Sequence, residues 1–250
     1  MTAAGARDRL PARDPSLRVF SQTFLPGFAD CTPSGRVRLD ALARWLQDIA
    51  YADVLDAGLD EVAFWVVRRT RLCVRRFPRF GERLELTTFC SAVGRMWAQR
   101  RTDIGAIGAS RPDIEAASLW VHLDREARRP WPLTDAELRT YMGAPPHRRI
   151  SARLRHPAPP AQSDGGVAWR FRSTETDLAD HVNNAAYWSP LEEELLAGDE
   201  PISIDAEIEY HAPAQPGDKR VLADGARRWI VGQGGELHAS ILLAPLDDDG

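Results

Sequence analysis

Cysteine is scarce in this chain, and lysine is scarce too. The three cysteines, Cys31, Cys73 and Cys90, are odd in number and far apart. They make neither a metal-ligand spacing nor a disulfide framework, so each reads as a small buried hydrophobe in a reducing, cytoplasmic setting. No apolar run approaches the roughly 20 residues of a membrane-spanning helix. Residues 1–16 hold Arg and Pro but no apolar h-region, so they read as a disordered leader and not as a secretory signal. An excess of positive charge is also missing. The 32 basic residues face 36 acidic ones, and the net charge of -4 leaves no footprint for nucleic acid. What remains is an ordinary globular composition of 250 residues, enough for one large domain or two small ones.

The chain does hold an ordered repeat. The first copy opens with an extended Val19–Phe24 and a turn-rich 26–35. An amphipathic helix follows, in which Leu39, Leu42, Ala43, Leu46, Ile49, Ala50 and Val54 keep helical spacing and Gly58 stands as the C′ residue. Strands are predicted at Phe64–Val74, Leu84–Cys90, Trp97–Asp103 and Ala116–Leu123. The second copy repeats the order. Ala168–Arg172 is extended, a turn covers 177–183, and a helix runs from about Asn184 to Leu196. An alternating strand at Ile202–His211 comes next, then strands at Val221–Asp224, Arg227–Val231 and Leu237–Leu243. Between the copies, 143–166 is rich in Pro and Arg and reads as a linker. The expected division is a leader at 1–16, domains at 17–140 and 167–246, and a linker at 141–166. A strand, a long helix and four strands wrapping it is the hotdog arrangement. The expected fold is therefore α+β: a tandem hotdog, with two curved antiparallel sheets each wrapping a helix and able to pair edge to edge.

Chemistry concentrates at Asp177-Leu-Ala-Asp-His181-Val-Asn183-Asn184. A carboxylate and an imidazole within reach of each other can activate a water. Asn183 or Asn184 suits an N-cap, which would set free helix-start N–H groups beside the pair. Such groups stabilise an oxygen that becomes negative. The competing reading is a shaped turn and a capped helix without chemistry. His122, His147, His156 and His238 lack acidic or Cys neighbours at ligand spacing, so no metal is expected. His211 alternates with Glu207 and Glu209 on a strand face read as solvated. Glu175 reads as an exposed strand-end residue.

These pieces resemble the acyl-acyl-carrier-protein thioesterase family, the double-hotdog enzymes of plastids and bacteria, over about Phe20 to Leu243. The resemblance rests on Leu42-Ala-Arg-Trp45-Leu46-Gln-Asp48, Trp65-Val-Val-Arg-Arg69, Phe77-Pro-Arg-Phe-Gly-Glu82, Ala117-Ser-Leu-Trp-Val121, and Asp177 with His181-Val-Asn-Asn184 and Tyr187. It implies hydrolysis of fatty acyl thioesters of acyl carrier protein. Asp177 and His181 would be catalytic, with either one as the base. Asn183 and Asn184 would meet the substrate, Leu42, Trp45, Leu46 and Ile49 could line an acyl tunnel, and no cofactor is implied. Two departures stand out. Ala179 replaces the family's catalytic Asn two residues before the His. Pro213 and Ala214 stand where plant members carry a Glu-Cys pair. Both favour direct attack by water over a cysteine nucleophile.

Other readings are an acyl-coenzyme A thioesterase, a noncatalytic or regulatory acyl-binding hotdog, and a hotdog hydratase, whose usual Asn-Pro step is missing. The implied carrier is acidic, and two Arg-rich stretches could receive it. One is Arg68, Arg69, Arg71, Arg75, Arg76 and Arg79; the other is Arg148, Arg149, Arg153 and Arg155. A homodimer is compatible with such a chain.

Overall fold

The structure is a computed structural model that describes residues 10, 17–59, 64–124, 126–127, 129–142, 151–160 and 165–246. The first repeat comprises β1 (Val19–Phe24), α1 (Leu39–Asp56), β2 (Phe64–Val74), β3 (Leu84–Val93), β4 (Trp97–Ala106) and β5 (Ile114–Leu123). A short α2 (Asp135–Met142) follows. The second repeat comprises β6 (Val167–Phe171), α3 (Ser189–Leu196), β7 (Ile204–Tyr210), β8 (Gly217–Asp224), β9 (Arg227–Gly232) and β10 (Leu237–Ala244).

All ten strands join one sheet in the order β1-β3-β4-β5-β2-β7-β10-β9-β8-β6. Read from its own outer edge, each repeat has the same order: opening strand, third, fourth, fifth, then second. The repeats therefore meet about a pseudo-twofold axis that crosses, at right angles to the strands, the antiparallel seam of β2 and β7, which runs from Arg69 opposite Glu209 to Val74 opposite Ile204. Closing that seam removes two exposed edges, which would otherwise invite pairing with other chains. The two halves also share one core. Leu42, Trp45, Leu46 and Ile49 of α1 pack in the same apolar cluster as Val182, Tyr187, Trp188 and Leu191.

The helix of the second repeat departs from its sequence pattern. A continuous helix from Asn184 to Leu196 was expected. The chain instead makes a 3₁₀ segment, Asn184–Trp188, and then starts α3 at Ser189. Pro190 explains the break. It has no N–H to bond backward, and it suits only the first turn of a new helix.

The polar face of β7 departs as well. It is covered, not solvated. The linker segment 151–160 crosses it, and Glu209 is fully buried. Its carboxylate accepts from the Arg155 N–H at 2.8 Å and the His156 N–H at 2.9 Å. Trp229 Nε1 donates to the Pro157 carbonyl at 2.8 Å. A buried carboxylate needs such partners, so Glu209 acts as the clasp of the linker.

Candidate active site

The turn before each helix is built on one plan. In the second repeat Thr176 bridges Val182. The Asp177 N–H bonds the His181 carbonyl at 3.0 Å, the Asp180 N–H bonds the Asp177 carbonyl at 3.0 Å, and the Val182 N–H bonds the Ala214 carbonyl at 2.9 Å. Asp180 takes a left-handed conformation, φ 60°, to close the turn. In the first repeat Cys31 bridges Val37. Thr32 bonds Arg36, Gly35 bonds Thr32, and Val37 bonds the Pro78 carbonyl at 2.8, 2.9 and 2.9 Å. Gly35 supplies the matching positive φ of 86°. Asp177, His181 and Asn183 thus correspond to Thr32, Arg36 and Arg38.

Asp177 and His181 come together through backbone, not through side chains. The Asp177 carboxylate accepts the Ala179 N–H and Asn183 Nδ2, both at 2.9 Å. It is exposed to solvent. The half-buried His181 imidazole makes no hydrogen bond among the described residues. Asn183 is the N-cap, and its Oδ1 accepts the Ala185 N–H at 2.8 Å. The Asn184 N–H next to it has no partner among the described residues.

Sequence reasoning missed Gln47. This α1 residue forms a reciprocal amide pair with Asn183: Asn183 Nδ2 donates to Gln47 Oε1 at 3.0 Å, and Gln47 Nε2 donates to Asn183 Oδ1 at 3.2 Å. The site is therefore assembled from both repeats. The opposite wall is fixed by Tyr187, whose hydroxyl oxygen accepts the Ala214 N–H at 2.8 Å. Burial raises the Tyr187 pKa to about 12, so it stays a neutral phenol. Gln215 Nε2 donates to the Asp180 carbonyl at 2.9 Å. Ala214 is thus a buried residue that serves as backbone scaffold, bonding Tyr187 through its N–H and Val182 through its carbonyl.

The four apolar α1 residues expected to line a tunnel, Leu42, Trp45, Leu46 and Ile49, are at most 4% exposed and belong to the shared core. Among the other histidines, the expectation of no acidic neighbours fails for His238, 4.0 Å from Glu236, for His122, and most fully for His156. Its Nε2 lies 3.2 Å from Glu207, and ligand atoms of His156, Glu207 and Glu209 gather within 4.8 Å. Glu209 already spends its oxygens on backbone N–H groups, and Arg69 lies 3.8 and 3.7 Å from Glu207 and Glu209. The cluster's charge is met by protein, which disfavours a cation there. His211 Nε2 pairs with Ser240 Oγ at 3.0 Å, and burial lowers its pKa and so favours the neutral imidazole. His122 faces Glu137 at 3.6 Å. His147, Arg148 and Arg149 lie outside the described residues.

The first arginine stretch is largely engaged within the protein itself. Arg71 forks onto Asp205 at 2.9 and 2.6 Å, Arg75 pairs with Glu115, and Arg76 pairs with Asp113 at 2.6 Å and Glu82 at 3.0 Å. Arg68 and Arg79 donate to the carbonyls of His211 and Ser34. Asp205 and Glu115 lie on β7 and β5, and Glu82 and Asp113 lie outside the strands, so sequence alone does not pair these acids with the arginines. Arg153 and Arg155 are exposed, and their guanidinium groups have no partner among the described residues.

A sequence model of the acyl-ACP thioesterase N-terminal domain matches residues 18–141. An uncharacterised protein of Mycobacterium tuberculosis is 26% identical over 219 residues, covering 84% of this chain and 86% of its own. The oleoyl-acyl carrier protein thioesterase 2 of Arabidopsis thaliana chloroplasts is 23% identical, covering 60% of this chain and 46% of its own length. An acyl-ACP thioesterase from Bacteroides thetaiotaomicron shares the fold at a TM-score of 0.73, 18% identical, over 90% of this chain and 96% of its own. The 12:0-ACP thioesterase of Umbellularia californica does so at 0.70 and 19%, over 90% and 96%.

Proposed function

Because the chain belongs to the acyl-ACP thioesterase family, a family of thioester hydrolases, we propose that it cleaves fatty acyl thioesters of acyl carrier protein by attack of a water activated at Asp177 and His181. Asp177 is held by two donors yet open to solvent, as a group that must meet a water should be. His181 stands on the same turn with its ring unengaged. Either one can take the proton, and the other would orient the water or charge against it. The two products are the free fatty acid and the carrier thiol. Three unpaired thiols suit a reducing cytoplasm as the place of work.

The observation that carries the reading is the open Asn184 N–H. Its counterpart in the first repeat, the Leu39 N–H, holds a carboxylate oxygen of Glu192 at 2.9 Å. An anion therefore already sits on this N–H in the first repeat, whose turn carries Thr32 and Arg36 in place of Asp177 and His181. In the second repeat the same donor is left for the thioester oxygen as it gains charge. A water so placed attacks the carbonyl carbon, and the tetrahedral centre collapses with loss of the thiolate.

The test is thioester cleavage followed by a free-thiol reagent. His181→Ala and Asp177→Asn should each lower kcat by about 10²–10⁴. Their melting temperatures should stay close to wild type, since neither side chain is buried. Full activity in both variants would overturn the assignment.

A further inference from the structure

Gln47 reaches the Asp177–Asn183 pair from the other repeat, and its counterpart shows what that position controls. Counted from the bridging valine of each turn, Val37 or Val182, Gln47 and Glu192 occupy the same place in the two repeats. Each lies on the helix of its own repeat and reaches across to the turn of the other. Glu192 pairs with buried Arg36 and occupies the Leu39 N–H, so the first turn is filled by protein charge. Gln47 is neutral. It stops at the Asn183 side chain and leaves the Asn184 N–H open.

We propose that Gln47 is a positioning residue: by clasping the Asn183 amide it directs Nδ2 onto Asp177 and holds the catalytic turn in its working shape. The inference rests on the reading of Asp177 and His181 given above. An amide can rotate end for end. With Oδ1 accepting both the Ala185 N–H and Gln47 Nε2, the oxygen is fixed on the helix side. Nδ2 is then fixed between Gln47 Oε1 and Asp177 Oδ2, at 3.0 and 2.9 Å. Without Gln47 the amide keeps one fixing bond on its oxygen and loses the second carboxamide contact, so the carboxylate is held less firmly. Geometry at a general base is sensitive to such loosening.

The position also requires neutrality. A carboxylate at residue 47 would face Asp177 across the shared Asn183 amide. It could no longer donate to Oδ1, and its charge would disfavour ionised Asp177 and favour protonated His181. Both effects raise the pKa of whichever group is the base.

Two variants separate positioning from packing, assayed on a fatty acyl pantetheine thioester beside Asp177→Ala and His181→Ala. Gln47→Leu removes both bonds at nearly constant volume. It should lower kcat about tenfold with KM within about twofold, at an unchanged melting temperature. Gln47→Glu should move the acid limb of the kcat/KM profile up by about one pH unit. A purely structural role would lower the melting temperature and leave that limb where it was. If Asp177→Ala and His181→Ala are inactive while both Gln47 variants keep the wild-type kcat and pH profile, the inference alone falls. If Asp177→Ala and His181→Ala retain full rate, the catalytic reading falls and takes the inference with it.

Discussion

Arg36 stands in the first repeat where His181 stands in the second. Each precedes a valine whose N–H bonds a strand-exit carbonyl at 2.9 Å, Pro78 for Val37 and Ala214 for Val182. One scaffold therefore presents two different contents. The first turn holds a buried guanidinium bound by Glu192 and, at 3.0 Å, by Glu200. The second holds an open imidazole and a solvated carboxylate. Of two equivalent turns, the first locks the repeats together through buried charge, and the second leaves its carboxylate open to solvent.

The lock sets the first prediction. Arg36 and Glu192 are 2% and 3% exposed, so removing one partner strands a buried charge. Glu192→Ala should cost about 3–5 kcal/mol in urea unfolding. It also frees the Leu39 N–H, which adds to the loss. The double variant Arg36→Met with Glu192→Leu should recover most of that stability, because it buries no charge at all. A loss under about 1 kcal/mol in the single variant would show that water reaches the pair and that the lock is weak.

Much of the frame was legible because its signals are local. The alternation and β-branched content place β1 and β2 at the observed residues, and helical spacing places α1 with Gly58 beyond its end at φ 67°. The shared strand order of the two repeats follows from the repeat itself. Local signals were also overlooked. Thr134 and Glu137 form a capping box, with Thr134 N–H to Glu137 Oε2 at 2.7 Å and Glu137 N–H to Thr134 Oγ1 at 3.3 Å, and that pattern announces α2. Pro190 announces the split helix. Asp177, His181 and the Asn183 cap could be named from the motif, since turn and cap chemistry are written in neighbouring residues. Gln47 could not. It is 136 residues from Asn183, and only the sheet closing along β2 and β7 brings α1 over that turn. The same holds for Glu209 and the linker it clasps.

The second prediction concerns sulfur. Burial raises the Cys90 thiol to about 11 and pushes Cys73 upward, and burial with nearby Asp30 raises Cys31. Each therefore carries a negligible thiolate fraction at neutral pH. Native protein held with excess iodoacetamide near pH 7.5 should keep its thioesterase activity. The triple replacement of Cys31, Cys73 and Cys90 by Ala should also remain active once folded, with some loss of melting temperature from the two buried sites. A folded but inactive triple variant would refute the cysteine-free mechanism.

The last prediction concerns the carrier. Acyl carrier proteins are acidic, and this chain is itself net negative, so a productive encounter needs a local basic face. Arg69, Arg71, Arg75 and Arg76 face acids and Arg68 and Arg79 donate to carbonyls, which moves the expected contact to the linker. Arg153 and Arg155 are exposed there, on backbone that Glu209 holds rigid through the Arg155 and His156 N–H groups. A rigid backbone lowers the ordering cost of presenting those charges. Raising salt from about 0.05 to about 0.5 M shortens the screening length several-fold. It should raise KM for an acyl carrier substrate far more than KM for a short pantetheine thioester. The double reversal Arg153→Glu with Arg155→Glu should mimic high salt, raising the carrier KM roughly tenfold at low salt and leaving the pantetheine substrate unaffected. The Glu209 clasp survives that change, because it uses main-chain donors, so folding should be intact by melting temperature. Equal salt sensitivity for the two substrates, or a reversal that leaves the carrier KM unchanged, would place the carrier elsewhere on the molecule.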